Sequence, residues 1–245
     1  MKQTKSSILL IFTIFIFLQC SSRNLRIAAS AGEIKKVRTY LSENTNTENA
    51  NFSGETPLIL AAKSGYSEIV KLLIKANANI ETKDKEGKTA LYWAVKNRYR
   101  EVTRILLDSK ANINTANNFN MTPLAIACAN GNLDITKILT QYNPDPNIGN
   151  NDGTTPLIRA TQKGYIEIIK VILSLEVDVN KQDNYGMTAL MYAARDGRFE
   201  IFKLLLENKS NIYIKDTKGR TAEEFAEEYG QSEIMILLLK QGENK

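Results

Sequence analysis

Apolar residues along this chain fall into short helical stripes that return in phase every 33 residues. In "ETPLILAAKSG", Leu58, Ala61 and Ala62 share one helical face; after the glycine, "SEIVKLLI" adds a second stripe with Ile69, Leu72 and Leu73. The same pattern recurs without gaps in "KTALYWAVKNR", "MTPLAIACANG", "TTPLIRATQKG", "MTALMYAARDG" and "RTAEEFAEEYG". Their threonines are Thr56, Thr89, Thr122, Thr155, Thr188 and Thr221. Each predicts a helix–turn–helix repeat. Threonine followed by proline is a helix start, a hydroxyl cap followed by a residue whose missing N–H costs nothing there. Glycine lies two residues before the threonine (Gly54, Gly87, Gly153, Gly186, Gly219), with Asn120 as the exception. It lies again nine residues after it (Gly65, Gly131, Gly164, Gly197, Gly230), with Arg98 as the exception. These positions call for turn backbone with positive φ. An Asn-rich extended segment leads from each second stripe to the next turn. One repeat cannot bury its own apolar face, so neighbours must stack.

Counting back 33 residues from Thr56 reaches Arg23, and "RNLRIAASAG" then puts Leu25, Ala28, Ala29 and Gly32 in the positions of the repeat. Residues 23–50 read as a degenerate capping repeat with Arg23, Asn24 and Arg26 on its outer side. Full repeats follow at 51–83, 84–116, 117–149, 150–182 and 183–215. Residues 216–245 close the array with Glu223, Glu224, Glu227 and Glu228 on an acidic helix. Polar outer faces are what terminal repeats require.

Period, core and turn positions together resemble the ankyrin repeat, with its T-P-L-H-x-A-A-x-x-G core. The resemblance implies an all-α ankyrin-repeat solenoid of stacked helix-turn-helix units with β-hairpin-like finger loops, over nearly all of the chain after Cys20. One departure is systematic: the family's histidine, which ties neighbouring loops, is replaced by Ile59, Tyr92, Ala125, Ile158, Met191 and Glu224. A second is "NPDPN", where Pro144 and Pro146 stiffen one connection and are expected to shift the stacking of the fourth and fifth repeats slightly.

In the first 19 residues Lys2 and Lys5 precede an apolar run, Ile8 to Leu18. Its 11 residues fall short of the roughly 20 a membrane-crossing helix needs, and fit a signal-peptide core. The run ends at "FLQC", which resembles a bacterial lipoprotein box. That likeness implies removal of residues 1–19, acylation of Cys20 and a short tether over 20–22. Ser21 is not the aspartate that retains such proteins at the inner membrane in well-studied double-membrane bacteria, which favours an outer-membrane, cell-envelope location. Two alternatives stay open: ordinary cleavage at "ASA" (Ala29 to Ala31), giving a secreted or periplasmic protein, or an uncleaved anchor.

The 32 Lys and Arg exceed the 27 Asp and Glu only mildly and are dispersed, which argues against a nucleic-acid partner. Histidine is absent, and Cys20 and Cys128 are the two thiols, so the commonest general base and a cysteine-rich zinc site are both excluded. No phosphate loop, nucleophile elbow or metal run appears. "DKEGK" (Asp84 to Lys88) and "NDGT" (Asn151 to Thr154) fall at turn positions and lack the regular oxygens of a calcium loop. No catalytic residue, metal or cofactor is expected.

The resemblance implies instead a monomeric protein-binding scaffold that works through its concave side, formed by finger tips and first helices. Carried over position by position, that side takes in Phe52, Glu55 and Lys63; Lys83, Lys85, Glu86, Lys88 and Lys96; and Phe119, Met121 and Asn130. Asn151, Asp152 and Gln162 follow, then Tyr185, Met187, Arg195 and Asp196, and last Lys215, Lys218 and Arg220. Phe119 with Met121, and Tyr185 with Met187, put residues that carry interface energy on wet turns, unless they pack locally. Lys83, Lys85, Lys88 and Lys96 suggest an acidic patch on a partner or nearby anionic head groups, unless they are a solvated face. Trp93 reads as packing, and Cys128 as a small buried hydrophobe. Two narrower roles are also open: regulator or inhibitor of one cell-envelope enzyme, or exported factor binding a host protein.

Overall fold

The computed structural model describes residues 22–242. Seven helix pairs run through them, and no strand occurs among the described residues. They are α1 (22–31) and α2 (Ile34–Ser42); α3 (Pro57–Ser64) and α4 (Ser67–Lys75); α5 (Ala90–Lys96) and α6 (Arg100–Asp108); α7 (Pro123–Ala129) and α8 (Leu133–Thr140). Then come α9 (Pro156–Lys163) and α10 (Ile166–Ile172), α11 (Ala189–Arg195) and α12 (Phe199–Glu207), and α13 (Ala222–Glu228) and α14 (Ser232–Gly242). The chain divides into two compact units with the boundary between Asn112 and Ile113.

In both units the local rules are the same. Each threonine caps its helix: the Thr56 hydroxyl accepts the Ile59 N–H at 3.3 Å, and Thr89, Thr122, Thr155 and Thr188 do likewise. Such a cap contributes about 1 kcal/mol. Thr221 adds a full capping box, with Glu224 accepting the Thr221 N–H in return.

Within the N-terminal unit, Leu25, Ala28, Ala29, Leu58, Ala61 and Ala62 of the first helices are buried with Ile69, Val70 and Leu73 of α4. Leu72 is only half-buried, and Val70 takes its place in the core. The C-terminal unit repeats this with Leu124, Leu157 and Leu190 on first helices and Ile135, Ile169 and Phe202 on second ones. Each such side chain contributes about 1.5–3 kcal/mol by leaving water. Cys128 belongs to this core, and burial pushes its thiol up to about 12.

A stacking contact the stripes do not announce recurs at the turn between the two helices. Where the preceding repeat has its glycine, the residue opening the second helix lies over it. A Cβ built on Gly32 would stand 2.8 Å from the Tyr66 ring, one on Gly65 2.7 Å from Tyr99, and one on Gly131 2.9 Å from Tyr165. Arg198 covers Gly164 in the same way, and Gln231 covers Gly197. Gly230 meets nothing within 4 Å.

The loops are tied without the family histidine. The Glu48 side chain accepts the Asn79 N–H at 2.9 Å and Glu81 accepts that of Asn112 at 2.7 Å. In the C-terminal unit Asn114, Asn147 and Asn180 serve Asp145, Asp178 and Asn211 at 2.8–3.0 Å. This ladder passes through Pro144 and Pro146 unbroken, and both prolines are buried.

Gly65→Ala and Gly230→Ala separate backbone strain from stacking, because both glycines have positive φ (82° and 67°). Urea unfolding should show a loss of about 1–2 kcal/mol for Gly230→Ala from φ alone. Gly65→Ala should lose a further 1–3 kcal/mol or so from the clash with Tyr99. Equal losses would mean the ring moves aside freely.

Candidate protein-binding surface

Every finger is built around one side chain five residues before the threonine: Asn51, Asp84, Asn117, Asn150, Asp183 or Asp216. Its Oδ1 accepts two backbone N–H groups, two and four residues ahead. For Asp183 these are Tyr185 and Met187 at 2.9 and 3.0 Å; for Asp84 they are Glu86 and Lys88, both at 2.9 Å. Its own N–H bonds back to the carbonyl four residues on, closing the turn. Backbone bonds then join neighbouring fingers: Lys85 N–H to the Ser53 carbonyl in the N-terminal unit, and Asn184 to Asp152 and Thr217 to Tyr185 in the C-terminal one.

This geometry sorts the expected site residues. The third residue before the threonine stands out into water, so Phe119 is 60% and Tyr185 66% exposed. The residue just before the threonine is drawn in by its two bonds to the Asx residue. Met187 is therefore buried, at 5% exposure, against the expectation of a wet turn, and Lys88 is buried at 7%, against its expected place on a partner-facing or solvated surface. Met121 is half-buried. Lys83 and Lys85 are exposed on their finger. Phe52, at 97% exposure, is a more prominent tip than its sequence context announced. Cys20 lies outside the described residues.

Where the Asx residue is aspartate, its second oxygen reaches the first helix or its approach and builds a station there. In the N-terminal unit Asp84 Oδ2 accepts the Trp93 Nε1–H at 2.9 Å. The Nζ atoms of Lys63, Lys88 and Lys96 lie 4.2, 4.6 and 4.8 Å from the Trp93 ring centroid. Lys63 pairs with Glu55 and Lys88 with Glu86. Trp93 is packed as the sequence suggests, yet it is also the floor of a cationic cluster.

In the C-terminal unit Asp183 Oδ2 accepts the Tyr192 hydroxyl at 2.7 Å, and burial followed by this bond pushes that phenol up to about 12. Asp216 Oδ2 takes Nε and Nη2 of Arg220 at 3.0 and 2.8 Å, and the guanidinium lies 4.2 Å over the Phe225 ring. Arg195 lies 4.8 Å over Tyr192 and pairs with Asp196. Tyr185, Met187, Arg195, Lys218 and Arg220, all expected on the binding side, meet around one cavity of about 300 Å³, with Tyr192, Phe225 and Tyr229. Sequence reasoning missed Tyr192 and the Asx series, although the latter has the same 33-residue period as the threonines.

The family model for ankyrin repeats (three copies) matches residues 25–117, 109–183 and 175–245. The chain belongs to the ankyrin-repeat family. It is similar to the crystal structure of EF0377, an ankyrin repeat protein, at 34% identity and a TM-score of 0.70, covering 74% of this chain and 96% of that one. It also shares its fold with the ankyrin repeat domain of Bcl-3, a member of the IkappaB family: 24% identity, TM-score 0.78, covering 82% of this chain and 92% of that one. No curated protein matches it. Ankyrin repeats are generally non-enzymatic protein–protein interaction scaffolds. Among the described residues no helix is long and apolar enough to cross a membrane, and no cluster of His, Cys, Asp or Glu could hold a metal.

Two outcomes follow from the finger geometry. Met187→Ser should cost about 2–4 kcal/mol in urea unfolding. Tyr185→Ser and Phe119→Ser should stay within about 0.5 kcal/mol of the parent. The reverse order would mean the ankyrin fingers are turned over. The second outcome concerns pH. Burial alone would raise the Asp216 carboxyl, but the Arg220 N–H, its guanidinium and the Lys218 N–H hold it below its ordinary value of 3.8. A carboxylate lowered by folding stabilises the fold above its unfolded pKa, and that contribution disappears as pH falls through the folded value. The urea midpoint should therefore drop below about pH 4, and less steeply in Asp216→Asn.

Proposed function

We propose that this ankyrin-repeat chain is a protein-binding scaffold without chemistry of its own, exported and held in the cell envelope by a lipid on Cys20, with the outer membrane as its site. The observation that carries the binding half is the C-terminal cavity. There a water-exposed Tyr185 and the half-exposed Tyr229 stand beside Arg195, Lys218 and Arg220 on backbone tied by Asp183 and Asp216. Aromatic and arginine side chains are the usual carriers of interface energy, and pre-ordered loops lose little freedom on binding. Phe119 and Met121 extend the same side toward the start of that unit, and Lys83, Lys85, Lys88 and Lys96 form its counterpart in the N-terminal unit.

The anchoring half is supported by Lys2, Lys5, the apolar run and "FLQC" in the sequence. A packing argument favours Cys20 over the alternative cleavage site. Leu25, Ala28 and Ala29 of α1 are at 0–1% exposure. Cutting after Ala31 would remove that helix and lay open the apolar face of the helices it covers.

The mature protein from its native host tests both halves. Its N-terminal peptide should begin at an acylated Cys20; one beginning at Met1 or beyond Ala29 would sink the anchor. An envelope protein that co-purifies with it should be retained about tenfold less by Tyr185→Ser, a loss of the size expected for a central aromatic. Unchanged retention would remove the C-terminal cavity from the interface.

A further inference from the structure

The N-terminal unit gathers three lysines around one aromatic ring. Because Lys63, Lys88 and Lys96 share one ring centroid, any two of their Nζ atoms lie within about 9 Å, close to the screening length of physiological salt. Among the described residues two carboxylates pair directly with the three ammonium groups, Glu55 with Lys63 and Glu86 with Lys88, while the Asp84 carboxylate stands at the indole N–H without pairing. Lys96 is exposed and makes no ion pair among the described residues; its charge rests on the indole face. Asp84 cannot swing across to it, since one oxygen holds the finger and the other holds Trp93 Nε1. All three lysines act on the same carboxyl: Glu86 is lowered from its ordinary value first by Lys88, then by Lys96 and Lys63.

We propose that Lys63, Lys88 and Lys96, gathered on Trp93, form a docking station for an acidic segment of the partner protein. The proposal rests on the protein-binding reading above and names the partner chemistry that the N-terminal unit would take. A carboxylate entering beside Lys63 and Lys96, the two of the three that water reaches, gives Lys96 a direct partner in place of the ring face and the more distant charge of Glu86. Lysine suits this role because its compact charge on a flexible stem can lift from the ring toward an incoming oxygen. The cations of the C-terminal cavity are unlike these, since Arg195 and Arg220 are already locked to Asp196 and Asp216. A membrane surface is the poorer fit. Trp93 is only 8% exposed, so narrow side chains can reach the station, whereas a flat layer of head groups would meet Phe52 and Lys85 at the tips first.

Trp93 is the sole tryptophan, so its emission reports on this station alone. The full chain should be titrated with an octaglutamate peptide, with octalysine and phosphatidylglycerol vesicles as controls. The expected result is a saturable change of emission with octaglutamate, weakened by salt and absent with both controls. The exposed-side variant Lys63→Gln/Lys96→Gln, checked for unchanged helicity, should bind roughly tenfold more weakly. No saturable change, or equal affinity in the variant, overturns the proposal. A response to vesicles but not to peptide also overturns it, in favour of a membrane contact. A partner whose retention depends on Tyr185 but not on these lysines overturns the station and leaves the scaffold reading standing.

Discussion

A single side-chain oxygen decides the shape of every finger. Five residues before each threonine, an Asn or Asp Oδ1 takes two backbone N–H groups that a tight turn would otherwise leave facing water or each other. The turn is then closed from both sides, by the side chain and by the backbone bond back to the same residue. Both residue types do this equally well, because both offer one acceptor oxygen. They differ in the second atom. Asparagine presents an NH₂ there, as when Asn51 donates to Glu55. Aspartate presents another acceptor, and only that can receive the donors of Trp93, Tyr192 and Arg220. The stations on the binding side therefore stand where the Asx residue is acidic. A choice that is neutral for the turn is decisive for the surface.

Stacking supplies the second constraint. An internal glycine with positive φ is open to its neighbour's side chain because it has no Cβ, and Tyr66, Tyr99 and Tyr165 lie directly over those backbones. The same place is filled later by Arg198 and Gln231, which add hydrogen bonds to the carbonyls of Gln162 and Arg195. The contact asks for a long or flat side chain, not for a particular chemistry. The four glutamates of α13 face water, as a terminal repeat requires.

Period, caps, turn glycines and the apolar core were legible in the sequence because each is a local rule repeated in phase. Leu25, Ala28 and Ala29 showed the degenerate first helix for the same reason. What was not legible is side-chain direction inside the fingers. A stripe along a helix has a period to reveal its buried face; a four-residue turn has none. Met187 and Lys88 looked as exposed as Tyr185 and Lys85. The position just before the threonine is held by glutamate, lysine, methionine, threonine or arginine, so composition hides that it is the inward one. The loop ties were hidden in a related way: the positions that join successive loops hold glutamate in two repeats and asparagine in three, so no single residue type marks them.

The two stations differ in how much they can change on contact. Arg220, donating two N–H groups to one oxygen of Asp216, fixes the wall of the C-terminal cavity, so that Tyr185 and Tyr229 meet a partner as a preset shape. The lysines on Trp93 are held by the ring face and by single carboxylates, the buried Glu55 for Lys63 and the exposed Glu86 for Lys88, while Lys96 has the ring face without an ion pair among the described residues, a hold that water and salt weaken. A surface of that kind contributes mainly to the rate of encounter and to the exclusion of wrongly charged partners, whereas a rigid aromatic cavity contributes mainly to the lifetime of the complex. Raising salt should thus slow association at the lysine station more than it hastens release from the cavity. That separation follows from lysine in one station and paired arginine in the other, with the same fold beneath both.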